Sequence, residues 1–368
     1  MIEITIDQKK VKAEEGQTVL QAALNAGIYI PYLCHHPEFV EVKGLSSIER
    51  VYQGGEAKDG EGGVPFEGCM LCLVEIEGQS GLLKSCEIKA EEGMQVRTDT
   101  EKVRETRQEN IAKILEQHPH ACLVCAQADG CDQKICSLGI PENERCCSKY
   151  GICELQKVAE FIGIEKGLPP YVPSSDPIVD EDSLFKRAYD LCIGCLRCVR
   201  VCREIRGADA LAFTVRDGRV VVGSNQPSLK ESGCKYCGVC VEVCPTGALL
   251  DGDVRSGKRK KSSLRLKIKP PILPPEQHLA LTEGNLENVP EGEGIYILFD
   301  EAKEIYKISG VENIREALLE EMDAGSPAAF FNYEEDPMFT GKERQLTQQY
   351  MKKHGEMPPG NSELDDLF

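Results

Sequence analysis

The sequence predicts an α+β chain built from several small domains, and three observations carry that prediction. Its 368 residues hold nineteen cysteines, gathered in runs along the chain rather than scattered. Short alternating stretches such as IEITI and GIYILFD are interleaved with TVLQAALNAGI and NIREALLEEM, the periods of strands and of amphipathic helices. Proline-rich segments, GLPPYVPSSDP and KPPILPPEQH, break the chain between them. A chain of this length has room for about two to four small domains rather than one large core.

Composition excludes several classes. Dense cysteine in a short secreted chain means a disulfide scaffold, but MIEITIDQKK lacks the apolar run of a signal peptide. A cytoplasmic, reducing compartment is therefore expected. No stretch approaches the length of apolar sequence that spans a bilayer, so no membrane span is expected. A net charge of -18 argues against a nucleic-acid binder, whose affinity rests on Lys and Arg neutralising phosphates.

Residues 1–100 form the first expected domain. IEITI turns at Asp7 to Lys10, returns through VKAEE, and is followed by a helix with Thr18 as N-cap and Gly27 as stop. Cys34 then lies in IPYLCHHPEF, Cys69 and Cys72 in FEGCMLCLVEIEG, and Cys86 in LLKSCEI. Four thiolates are the complement of one 2Fe–2S cluster; four buried free cysteines are the plain alternative. These phrases resemble the N-terminal 2Fe–2S domain shared by the complex I large subunit, the diaphorase iron–sulfur subunit of NAD-linked hydrogenases and formate dehydrogenases, and many [FeFe]-hydrogenases. The resemblance implies a β-grasp, ferredoxin-like fold. One departure stands out: thirty-four residues separate Cys34 from Cys69, far more than the family places there. The extra segment, residues 41–65, is rich in glycine and charge and reads as an inserted hairpin or loop.

Residues 101–168 are expected to form a second domain. Val103, Ile111, Ile114 and Leu115 make a helical stripe that ends at HPHACLVCAQADGC. There His118, Cys122, Cys125 and Cys131 are spaced H-x3-C-x2-C-x5-C, which resembles the same family's 4Fe–4S site of one histidine and three cysteines. A neutral imidazole in place of a thiolate removes negative charge and should raise the potential. His120 competes as ligand, but its spacing does not fit the family. Cys136, Cys146, Cys147 and Cys153 follow, and two assignments stay open. Either Cys131 closes the histidine site and the later four bind an additional 4Fe–4S cluster, or Cys153, in the family's G-x-C-x-L-Q phrase, closes it and a set including Cys131 binds the extra one. Four cysteines for the 2Fe–2S site, three beside the histidine, eight for the runs below and four for the extra cluster use all nineteen. Adjacent Cys146 and Cys147 weigh against the extra cluster, because neighbouring thiolates converge poorly, and buried structural thiols are the alternative.

Residues 183–252 carry the strongest signal. CIGCLRCVRVC and CKYCGVCVEVCP both have the spacing C-x2-C-x2-C-x3-C, the run by which bacterial two-cluster ferredoxins hold a pair of 4Fe–4S clusters with the fourth cysteine crossing over. The expected sets are Cys192, Cys195 and Cys198 with Cys244, and Cys234, Cys237 and Cys240 with Cys202; zinc is the alternative ion. Arg203 stands where a free ferredoxin has proline. Thirty-one residues separate the runs, with a hairpin expected in ALAFTVRDGRVVVG at Asp217-Gly218. That spacer resembles the complex I and hydrogenase version of the domain.

Residues 253–290 read as a basic, proline-rich linker; positions 251–275 carry eight Lys and Arg against two Asp. The linker suggests either a docking strand for an acidic partner or a solvated connection. Residues 291–355 suggest a small α/β domain. Gly294, Ile295 and Tyr296, with Arg315 and Glu343, weakly resemble a GIY-YIG domain whose second motif is degenerate, and the acidic surroundings argue against DNA approach. Residues 356–368 read as an acidic tail or a short docking peptide.

No dinucleotide fingerprint and no Walker loop is visible, and no catalytic residue is nominated. The resemblance ends near residue 252, where complex I subunits and [FeFe]-hydrogenases continue into a large domain, so the chain is most similar to the short diaphorase type. It implies an iron–sulfur electron-transfer subunit of a multi-subunit NAD(P)H-linked oxidoreductase: a hydrogenase, a formate dehydrogenase or an electron-bifurcating enzyme. The implied cofactors are one 2Fe–2S and three 4Fe–4S clusters, with a fourth 4Fe–4S in question. The implied partners are a flavin subunit that oxidises NAD(P)H and a second redox subunit. A free polyferredoxin-type carrier and a redox-sensing nuclease are the rival readings.

Overall fold

The computed structural model describes residues 1–39, 44–124, 149, 152–164, 168, 176–182, 185–251, 268–275 and 278–361. Cys125, Cys131, Cys136, Cys146 and Cys147, most of the basic run and the last seven residues lie outside them. The chain divides into two compact units, with the boundary in sequence between Pro275 and Glu276.

The first unit opens as the alternation of IEITI requires. Strand Ile2–Ile6 pairs antiparallel with Lys9–Ala13 across a turn in which Asp7 and Gln8 have φ of 45° and 68°. Ile4, Ile6, Val11 and Ala13 face inward. Ile2–Ile6 also pairs in parallel with Gln95–Arg97, which continues antiparallel to Leu73–Ile76 and then Leu83–Lys84. Helix Val19–Asn25 covers this five-stranded sheet with Val19, Leu20, Ala22 and Ala23. Its N-terminus carries a capping box: Thr18 Oγ1 accepts from Gln21 N–H, and the Gln21 side chain accepts from Thr18 N–H.

Helix Glu101–Leu115 is fastened beside this sheet by a buried cation. Arg107 donates to the carbonyls of Leu71 and Leu73 at 2.9 and 2.8 Å, and Asn110 donates to Met70 O at 2.9 Å. One helix thereby holds the backbone around the C-x2-C loop. Ile111 and Leu115 then pack with Leu33, Leu71 and with Leu155, Val158 and Ala159 of helix Glu154–Ile162.

The segment between Cys34 and Cys69 contains a hairpin, Arg50–Gln53 and Glu56–Asp59, turning at Gly54 and Gly55 with φ of 60° and 82°. Both glycines supply the positive φ that this two-residue turn needs. The hairpin does not hang free. Arg50–Gln53 pairs with Arg219–Ser224, so that it joins the hairpin Leu211–Arg216/Arg219–Ser224 in one four-stranded sheet. Gln53 Nε2 donates to Val222 O, Ile48 N–H to Phe213 O, and Glu61 N–H to Val215 O. Asp217 and Gly218, at φ of 50° and 75°, make the turn expected of Asp-Gly. A third sheet runs Leu249–Asp251, Phe185–Ala188, Ile178–Asp182, all antiparallel.

The second unit is a four-stranded antiparallel sheet in the order Leu279–Ala280, Phe330–Glu335, Gly294–Phe299, Ile305–Val311. Helices Ile314–Asp323 and Phe339–His354 accompany it, and Tyr296, Leu298, Ile314, Leu318 and Phe331 form the core. Among the described residues no helix is long and apolar enough to cross a membrane.

The inserted hairpin lies tightly against its neighbour at Gly223, where a Cβ would lie 2.5 Å from Tyr52 O. Gly223→Ala is expected to cost about 1–3 kcal/mol and to speed amide exchange across residues 50–59. Unchanged exchange there would show that the shared sheet does not hold the insertion.

Candidate metal centres

The first centre is built from two pairs of thiols. Cys34 follows helix Val19–Asn25 through a buried turn, Cys69 and Cys72 flank the loop held by Arg107 and Asn110, and Cys86 lies beyond the short strand Leu83–Lys84. Gly68 and Met70 take φ of 92° and 55°, which turns both Cys69 and Cys72 inward along a path that few residues adopt. The side chains of Cys34 and Cys69 hydrogen-bond to each other, and so do those of Cys72 and Cys86. Leu33 N–H donates to Cys69 Sγ at 3.4 Å, and Cys69 N–H to Cys34 Sγ at 3.5 Å. The hydrogen bond from Cys34, with backbone N–H donors behind it, lowers Cys69 to about 6, while the same bond and burial raise Cys34. Two pairs suit two irons, each taking two thiolates. All four cysteines line a cavity of about 560 Å³ with Lys84, Lys89 and Arg200 at its walls, cations placed to offset an anionic group.

His118 and Cys122 represent the second expected centre. His118 is buried, and its Nδ1 meets Pro119 O at 2.7 Å. A carbonyl only accepts, so Nδ1 carries the proton and Nε2 keeps its lone pair. Nε2 has no partner among the described residues, and burial lowers His118 to about 4, which keeps the ring neutral. His120 instead turns Nδ1 toward the carbonyls of Leu115 and His118, both at 3.0 Å. The orphaned, neutral Nε2 of His118 is the better metal donor. Cys122 lies on helix Ala121–Val124. Cys153 caps helix Glu154–Ile162, buried in the same apolar cluster as Leu115 and Leu123.

The two cysteine runs form a matched pair. One cavity is lined by Cys192, Cys195 and Cys198 together with Cys244; the other by Cys234, Cys237 and Cys240 together with Cys202. Each is a small cavity of about 40 Å³, and Arg187, Leu211 and Leu249 line both. Positive φ recurs at corresponding places, at Gly194 (64°) and Leu196 (58°) in the first run and at Tyr236 (49°) and Gly238 (73°) in the second. Glycine therefore relieves one position in each loop, and a side chain is forced into the left-handed region at the other. Such loops aim successive N–H groups at one point. Tyr236 N–H reaches Cys234 Sγ at 3.4 Å, and Ala210 N–H reaches Cys202 Sγ at 3.4 Å. Within the first run the helix Arg197–Arg200 widens to a π-helical stretch, Val201–Ile205, which carries Cys202. Widened turns of this kind gather at functional sites.

Burial raises the Cys192 thiol to about 12 and pushes Cys195, Cys198, Cys202 and Cys240 upward as well. Thiols in such a place stay protonated until metal takes the proton's place, so loading releases protons. Among the described residues no three His, Cys, Asp or Glu side chains close on a single ion. Thiols set around cavities suit multi-atom iron–sulfur groups.

Sequence reasoning did not single out Arg197. Its guanidinium is wholly buried and forms a two-pronged pair with Glu154, both contacts at 2.7 Å. It also donates toward Val243 O at 3.5 Å and lies 5.8 Å from the Tyr32 ring centroid. Its place inside CIGCLRC was the available signal. In the second unit Tyr296 OH donates to Glu321, while Arg315 is bound to Val289 O and Glu291. Arg315 is thus used in holding its own unit together.

Comparisons with known proteins agree with this layout. Residues 191–248 match the family model described as a 4Fe-4S dicluster domain. Residues 1–44 and 57–101 match the 2Fe-2S iron-sulfur cluster binding domain, leaving out the first strand of the inserted hairpin. The chain is 32% identical over 253 residues to an NADH-quinone oxidoreductase subunit of Rhizobium meliloti (strain 1021), covering 68% of this chain and 24% of that protein. It is 31% identical over 252 residues to NADP-reducing hydrogenase subunit HndD of Solidesulfovibrio fructosivorans, covering 68% and 36% respectively. A crystal structure of NAD+-reducing [NiFe]-hydrogenase in the H2-reduced state shares the fold, with a TM-score of 0.50 at 24% identity over 72% of this chain and 94% of that one. The matched region is of the type found in the N-terminal iron–sulfur region of complex I large subunits and NADP-reducing hydrogenases. The chain spans between 24% and 36% of the length of these two curated relatives.

Because the fourth cysteine of each run lines the other run's cavity, Cys244→Ser is expected to damage the centre of Cys192, Cys195 and Cys198. Electron paramagnetic resonance resolved by cluster checks this; loss confined to the centre of Cys234, Cys237 and Cys240 would contradict the crossing.

Proposed function

We propose that this chain is the iron–sulfur electron-transfer subunit of a multi-subunit NAD(P)H-linked oxidoreductase. It would relay single electrons between a flavin-bearing subunit and another redox subunit. The observation that carries this reading is the pair of cysteine-lined cavities sharing Arg187, Leu211 and Leu249, in the same compact unit as the paired thiols of Cys34, Cys69, Cys72 and Cys86. Iron–sulfur clusters in these places would supply the redox change, taking up and passing on one electron at a time. The chain's own residues supply position and surroundings. Arg107 and Asn110 fix the Cys69–Cys72 loop, backbone N–H groups point at the sulfurs, and Leu196, Leu211 and Leu229 keep water from the two cavities. Hydrogen bonds to sulfur and exclusion of water are the levers by which a protein sets cluster potentials.

We assign one 2Fe–2S and three 4Fe–4S clusters, the third held by His118, Cys122 and two further cysteines. Cys153 shares an apolar cluster with Leu115 and Leu123, which flank His118 and Cys122; this favours Cys153 as one of that site's ligands. An additional cluster would draw on the remaining cysteines between Cys125 and Cys147. The five-stranded sheet with its single covering helix supports a β-grasp reading of the first domain, and a reducing, cytoplasmic setting follows from clusters on free thiols.

Anaerobic reconstitution should load about fourteen irons per chain for this set, or about eighteen with the additional cluster. An NAD(P)H-oxidising flavin subunit should then reduce the loaded chain in a spectroscopic assay. Fewer than about ten irons, or zinc in their place, would sink the proposal.

A further inference from the structure

We propose that Arg197 and Glu154 form an electrostatic pair that sets the reduction potential of the centre held by Cys192, Cys195, Cys198 and Cys244. This rests on the iron–sulfur reading above. One electron taken up by a cluster held there would add negative charge to a buried site. A low-dielectric interior resists that charge unless a cation stands close by. Arg197 is that cation: it sits between Cys195 and Cys198 in the chain and is wholly buried.

Its hydrogen bonds point to the same role. Both Nη atoms bind the Glu154 carboxylate, and Nη1 also leans toward Val243 O. Nε is buried with no acceptor among the described residues. A guanidinium N–H left this way inside a protein is costly, so this side chain keeps a donor in reserve beside the loop that carries Cys195 and Cys198. Glu154 opposes: its carboxylate, at the start of helix Glu154–Ile162, lies 2.7 Å from both Nη atoms and offsets their positive charge. Arg187 on the cavity wall and Arg219 near Cys192 add a positive background, and Asp176 a negative one. The arrangement gives the two members of the pair opposite influence on one potential, which a purely structural clamp does not.

The test is a redox titration of the full chain, loaded anaerobically and followed by electron paramagnetic resonance. Variants are Glu154→Gln, Arg197→Gln, Arg197→Lys and the double Glu154→Gln/Arg197→Gln. Glu154→Gln, nearly the same shape, should shift the midpoint of this one centre upward. Arg197→Gln should shift it downward, Arg197→Lys should leave it nearer the parent, and the double variant should fall between the single ones. Shifts of the same sign in both single variants, or none with the signal at parental intensity, overturn the inference and leave the iron–sulfur reading standing. Absence of 4Fe–4S signals from the parent chain overturns the reading itself. If Arg197→Gln does not load, Glu154→Gln decides alone: an upward shift supports the pair, an unchanged midpoint refutes it.

Discussion

A single buried ion pair ties the first unit together. Arg197 comes from the first cysteine run, Glu154 from the helix after the histidine region, and Tyr32 from the loop that carries Cys34. Tyr32 is itself held from outside, because its hydroxyl donates to Ile272 O and accepts from Ile272 N–H. The end of the proline-rich linker therefore returns to the same place. Taking two charges out of water is costly, and such a pair adds little net stability when complete, but breaking one side leaves a buried charge at a cost of about 3–5 kcal/mol. Its value lies in specification. Stretches far apart in sequence agree on one arrangement, and each carries cysteines whose spacing must be fixed for electrons to pass.

The inserted hairpin serves the same end by other means. Backbone hydrogen bonds from Ile48, Glu61 and the strand Arg50–Gln53 to the Leu211–Ser224 hairpin make a sheet whose strands come from both sides of the first unit's cysteine sites. A sheet resists sliding, since a slip of one residue turns every side chain to the wrong face. Within the cavities the constraint passes to single residues: Leu196 and Tyr236 hold left-handed backbone that no sequence preference would choose. Strain of that kind persists only where the surroundings over-determine it.

Much of this was legible in the sequence, because its signals are local. The alternation of IEITI, the Thr18 cap and the Asp217-Gly218 turn each depend on residues a few places apart, and each appears where its pattern places it. The insertion was legible as extra length but not as part of a shared sheet, since pairing between Tyr52 and Ser224 leaves no periodic trace in either segment. Arg107, Asn110 and Arg197 were missed for a related reason: a polar residue inside a helical or cysteine-rich stretch looks solvated until its partner is found. The basic run that was expected to dock or stay solvated lies outside the described residues, while just beyond it Lys269 N–H donates to Glu38 and Ile272 meets the Tyr32 hydroxyl. In the second unit the weak resemblance to a GIY-YIG domain rested on Gly294, Ile295 and Tyr296 with Arg315 and Glu343, and the glycine also meets a packing need. A Cβ there would lie 2.1 Å from Glu334 O.

All of these roles depend on iron lying where the thiols converge. Anomalous diffraction from crystals of the anaerobically purified chain, recorded on both sides of the iron and zinc edges, tests this most directly. The predicted result is iron density among Cys34, Cys69, Cys72 and Cys86, and in both cavities of the paired runs, with Cys202 and Cys244 each bound across to the other run. Zinc at these places, or iron bound by a run together with its own fourth cysteine, would contradict it.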